Sequence, residues 1–103
     1  MRNTNQQKTA TDFTGFGVKQ VEIPDNKTVT LTSEKAWDTI VVIGQRGAKV
    51  ILDIIVLHET APTVMHLGDI GIDPTSTTER TVTLKTDAFT VCRAIGQGRL
   101  SLS

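Results

Sequence analysis

Little cysteine, few aromatic side chains and no surplus of either charge mark this 103-residue chain, and each shortage removes a class of function. Cys92 is the only cysteine, so no intrachain disulfide can form, and a reducing compartment fits best. One Trp and no Tyr leave too few aromatic rings for a sugar-binding or base-stacking platform. Eleven Lys and Arg balance eleven Asp and Glu, and no window collects a basic run, so no nucleic-acid partner is expected. The longest apolar run, around Val50 to Leu57, is interrupted by Asp53 and falls far short of the roughly 18 residues of a membrane helix. The start MRNTNQQKTATDF lacks an apolar stretch behind Arg2, so no secretory leader and no membrane partner are expected.

What is present is Thr, Val and Ile in short runs separated by turn residues, a pattern of strands rather than helices. Residues 1–17 are polar, with Phe13 and Phe16 as their only large apolar anchors, and read as an extended N-terminal arm; residues 18–103 read as one domain. Val18 to Ile23 and Thr28 to Thr32 flank Pro24-Asp25-Asn26-Lys27, a hairpin turn or tight corner. Trp37 to Ile43 and Val50 to His58 should pair across a loop at Gly44-Gln45-Arg46-Gly47. A weaker strand follows at Thr63 to Leu67, then Gly68 to Glu79 reads as a long polar loop, and strands come at Arg80 to Thr86, Ala88 to Ile95 and Arg99 to Ser103. About eight short strands in one small domain predict an all-β antiparallel β-sandwich, jelly-roll-like or immunoglobulin-like.

The segment VILDIIVL is apolar on both strand faces. Period-2 alternation puts Val50, Leu52, Ile54 and Val56 on one side and Ile51, Ile55 and Leu57 on the other. Only one side can line a two-sheet core. The second set, Ile51, Ile55 and Leu57, is assigned to a partner interface together with Phe13 and Phe16, covered by another subunit or by the arm. Asp53 within this strand needs a compensating partner, for which Arg46, Lys49 and Arg93 are the candidates, or else it faces an intersubunit seam.

Groups capable of chemistry are scattered. His58, Glu59 and His66 could meet across a hairpin, but their spacing matches no metal motif. Asp69, Asp73 and Glu79 lack the calcium-loop pattern, and Gly15-Phe16-Gly17 and Gly96-Gln97-Gly98 read as turns rather than phosphate cradles. In AFTVCRAI, Cys92 alternates with Thr90 and Ala94 on one face and reads as a buried small residue. No catalytic group, metal or organic cofactor is therefore expected, and a protein that binds or builds is.

The stretches TVTLTSEKAWDTIVVIG, KVILDIIVLHE and RTVTLKTDAFTVCRAIGQGRLSLS, from Thr28 to Ser103, carry a family likeness. In the order of its features the chain resembles the small β-sandwich proteins encoded among tailed-bacteriophage virion genes, including capsid cement or decoration proteins and tail-associated modules. The resemblance implies a structural virion protein, assembled in the host cytoplasm, that binds across major capsid protein subunits, stabilises the shell and forms a homo-oligomer. It implies no fixed set of functional side chains. An alternative is a ligand- or receptor-binding module of a larger tail or surface assembly, contacting its target through the Gly68 to Glu79 loop.

Overall fold

A computed structural model describes residues 17–103; Phe13, Phe16 and the rest of the expected arm up to residue 16 lie outside the described residues. Nine strands are present among the described residues: β1 (Gly17–Ile23), β2 (Thr28–Ser33), β3 (Thr39–Arg46), β4 (Lys49–Val56), β5 (Thr63–His66), β6 (Asp73–Thr77), β7 (Thr81–Lys85), β8 (Thr90–Gly96) and β9 (Leu100–Leu102). They form a five-stranded sheet in the order β1-β8-β3-β4-β5 and a four-stranded sheet in the order β9-β2-β7-β6. Every neighbouring pair is antiparallel. The chain is thus all-β, and its two sheets enclose a common core.

Local chemistry fixes most of the corners. Pro24 to Lys27 is a corner between sheets, not a hairpin: Lys27 N–H donates to the Pro24 carbonyl at 3.1 Å, and Asn26 takes φ 55°, a conformation that Asn tolerates. The β3–β4 hairpin is tighter than the glycine-bracketed loop expected. Pairing continues to Arg46 opposite Lys49, leaving Gly47 and Ala48 as a two-residue loop, with Gly47 at φ 63° as a primed turn requires. The expected loop from Gly68 to Glu79 contains β6. Its Pro74, which has no N–H to offer, is tolerated because β6 is an edge strand with a register shift between Pro74 and Ser76.

The core comes from alternate positions of both sheets. Val21, Ile23, Ile40, Val42, Ile51 and Ile55 of the five-stranded sheet meet Leu31, Val82 and Leu84 of the four-stranded one, with Leu57 and Ile72 sealing the layer from connecting segments. Each large aliphatic side chain so buried contributes about 1.5 to 3 kcal/mol relative to leaving it in water.

A second device joins the layers. The Asp38 carboxylate, fully buried, accepts from the Ser33 hydroxyl at 2.6 Å, from Gln97 N–H at 3.0 Å and from Gly98 N–H at 3.1 Å. The Asp38 carbonyl in turn accepts from Leu57 N–H at 2.9 Å. The amides of the Gly96-Gln97-Gly98 turn therefore cradle an anion, and it is the protein's own. A Cβ at Gly96 would stand 2.7 Å from Asp38 Oδ2, so only glycine leaves room for this contact. Trp37 enters it at φ 54°, an unfavourable conformation for a bulky residue, with its N–H held by the Glu79 carbonyl at 2.7 Å.

Candidate functional site

The two sheets present very different outer surfaces. On the four-stranded sheet, cross-strand register aligns Ser101, Thr32 and Thr81 in one row and Thr30, Thr83 and Ser76 in the next, and the Thr30 and Thr83 hydroxyls bond at 2.9 Å. That surface is polar, as an antiparallel sheet with one wet face should be.

The outer face of the five-stranded sheet breaks the rule. Register places Val18, Ile95, Val41, Ile54 and Met65 side by side, one from each strand, in an uninterrupted apolar row across the sheet. The neighbouring row holds Gln20, Arg93, Ile43 and Leu52, which Leu67 extends through its N–H to the Leu52 carbonyl at 2.8 Å. Val18 is 60%, Met65 54%, Val50 50% and Val91 40% exposed. An open groove of about 570 Å³ runs along this face, with Ile43, Leu52, Val50 and Val91 among its apolar walls and Gln20 and Arg93 as polar contributors. Contiguous exposed apolar residues are a common mark of contact surfaces in folded proteins.

The assignment of Ile51, Ile55 and Leu57 to a partner interface is corrected here. Ile51 is 1% exposed, and Ile55 and Leu57 are fully buried, all three between the sheets. The outward set of β4 is Val50, Leu52, Ile54 and Val56, the set that the sequence reading had placed inside. The physical reason is Asp53, which shares the inner parity of Ile51 and Ile55. An uncompensated carboxylate would force that parity outward, but Asp53 is compensated. Its Oδ1 lies 2.7 Å from His66 Nδ1 on the paired strand β5, and its Oδ2 accepts from Ile72 N–H at 2.8 Å.

None of the expected cationic partners, Arg46, Lys49 or Arg93, bonds to Asp53. Arg46 instead donates to the Asp87 carboxylate at 3.1 Å and to the Ala88 carbonyl at 3.3 Å. His66 packs so closely on Gly71 that a Cβ there would stand 2.6 Å from Nδ1. The crossover from β5 to β6 is thereby tied along β4, with Asp69 and Ile70 N–H both donating to the Val50 carbonyl and the Asp69 carboxylate accepting from Val50 N–H at 2.9 Å.

The remaining candidate residues do not converge. His58 Nδ1 lies 3.3 Å from the Thr60 hydroxyl rather than joining His66, and Asp73 begins β6. Among the described residues no three His, Cys, Asp or Glu side chains are grouped as a metal site would need. Cys92 is buried on the inner face of β8, opposite Gly44; burial first, and then the Asp53 charge, push its thiol up to about 11. Such a thiol is a packing group and a poor nucleophile.

Sequence reasoning missed the outward residues Val18, Val41, Ile43, Leu52, Ile54, Met65 and Ile95. The available signal was His66, thirteen residues beyond Asp53, which the hairpin register brings opposite it. No family model, curated protein or solved structure matches the chain.

Proposed function

We propose that the chain is a structural protein that works by docking the outer face of its five-stranded sheet onto a protein partner, and that it is a decoration or cement protein of a tailed-phage capsid. The observation that carries the docking reading is the contrast between faces: one sheet turns Thr and Ser to solvent, the other an apolar row spanning all five strands. Such a face gains stability when covered, and the partner gains it equally by mass action. The virion assignment rests on the sequence resemblance and is consistent with a neutral surface and a Thr-rich second sheet.

The architecture is read as a jelly-roll-like sandwich in preference to an immunoglobulin-like one. Support comes from nested long-range pairs, β1 with β8 and β2 with β7, each pair lying in a different sheet. The alternative, a ligand module contacting through residues 68 to 79, draws less support because much of that segment is bonded along β4 or paired as β6.

The test is co-sedimentation with shells of the major capsid protein encoded in the same genome. The native chain should pellet with shells at saturable stoichiometry, and Ile43→Lys should remain in the supernatant while keeping its β-sheet circular dichroism. Equal binding by both proteins, or none by either, would contradict the proposal.

A further inference from the structure

The face that docks also has the pattern and extent to pair with a second copy of itself, and we infer that the free protein is a two-fold dimer formed by its five-stranded sheets packed face to face. The inference deepens the docking reading and rests on it. Its basis is the register of the outer face. Val18, Ile95, Val41, Ile54 and Met65 form a row in which every strand contributes an apolar residue. A two-fold axis lying in the plane of the face along that row lays it on its own copy, apolar against apolar at each of the five strand positions.

The same axis decides the charges. Glu22 and Arg93 both lie to one side of the row, on β1 and β8, so the rotation brings them against the partner's opposite side. Neither meets its own like-charged copy. Sheets packed in this way interleave their side chains as the two layers of a sandwich do.

Size is sufficient as well. Four strands of seven or eight residues and the four-residue β5, about 4.8 Å apart and at about 3.3 Å per residue, give a face of about 540 Å². Two such faces remove about 1,100 Å² from water, just above the roughly 1,000 Å² that a specific interface needs. The polar outer face of the four-stranded sheet, lined by Thr and Ser, offers no comparable driving force. A dimer at this lower limit of size dissociates readily, which leaves the same surface available for a larger partner.

Sedimentation equilibrium on the full chain tests the inference across micromolar concentrations. The native protein should fit a reversible monomer–dimer equilibrium. Val41→Lys, at the middle of the row, should shift it to monomer by at least tenfold in dissociation constant with unchanged far-ultraviolet circular dichroism; Ile95→Lys provides a second variant should the first not fold.

A native chain that is monomeric throughout, or lysine variants that fold and dimerise as before, would overturn the dimer. A monomer that begins to self-associate once residues 1–16 are removed would also overturn it, identifying the chain's own N-terminal segment as the occupant. Shell binding by the same samples separates the two proposals: a monomer that still binds shells through this face refutes the dimer alone, whereas a dimer that never binds shells refutes the capsid reading alone.

Discussion

Replacing Asp38 by Asn exchanges a single heavy atom, a carboxylate oxygen for an amide nitrogen, and should cost a large part of the stability of this fold. The carboxylate receives three donors, the Ser33 hydroxyl and Gly98 N–H on Oδ2 and Gln97 N–H on Oδ1, at a fully buried position. An amide has one acceptor and one donor end. With its oxygen toward Gln97, its NH2 faces Gly98 N–H, which cannot turn away; with its oxygen toward Ser33 and Gly98, the NH2 faces Gln97 N–H. Either orientation strands a backbone donor, at about 1 to 3 kcal/mol, and forfeits the charge-assisted strength of the remaining bonds. We expect Asp38→Asn to lose about 2 to 3 kcal/mol and Asp38→Ala, which abandons all three donors, about 3 to 5 kcal/mol.

Total stability for a chain of this size is about 5 to 15 kcal/mol. One kcal/mol moves the melting temperature by about 4 to 8 °C, so the Asn variant should melt roughly 10 to 20 °C lower. Thermal melts followed by circular dichroism, with urea titration for the free energy, measure this directly. An Asn variant melting within about 2 °C of the native protein would refute the claim that this carboxylate ties the β8–β9 turn to β2.

Three further expectations concern other sites. His66→Ala leaves the Asp53 carboxylate with Ile72 N–H as its remaining partner among the described residues and should cost about 3 kcal/mol in urea unfolding, at the lower end for a broken buried pair because the His66 side chain is 44% exposed; an unchanged midpoint would show that Asp53 needs no partner there. Gly71→Ala drives a methyl into the His66 ring and should cost about 1 to 3 kcal/mol, with the loss largely absent when introduced into His66→Ala, a double-mutant cycle that would fail if the two changes simply added. Cys92 gives a pH dependence: its folded pKa of about 11 exceeds the ordinary value of 9.0, so the folded state holds its proton longer and stability falls as pH rises from about 9 to about 11, by at most about 2 to 3 kcal/mol. A Cys92→Ala chain should lack that alkaline decline, and an equal decline in both proteins would contradict the assignment.

Strand positions were legible wherever alternation met turn chemistry. Val18 to Ile23, the Thr28 strand with Leu31 inward, and the alternation of Thr90, Cys92 and Ala94 against Val91 all follow from side chains within a few residues of one another. The inward face of β4 was not legible, because both of its faces are apolar and the deciding group, Asp53, is satisfied by residues thirteen and nineteen positions away. The same non-locality hid Asp38, whose three partners come from β2 and from a turn 59 and 60 residues on. Buried carboxylates set the architecture here, and their donors become visible only once the sheets are assembled.

The most direct test of the docking claim compares adjacent residues of one strand. Ile54 is on the outer row of β4 and Ile55 is fully buried between the sheets. Each is replaced by Lys, and both thermal unfolding and co-sedimentation with capsid shells are measured. Ile55→Lys should fail to fold cooperatively, because it buries an unpaired ammonium in the core. Ile54→Lys should unfold within about 1 kcal/mol of the native protein yet lose shell binding. A folded Ile54→Lys that binds shells as tightly as the native chain would contradict the account.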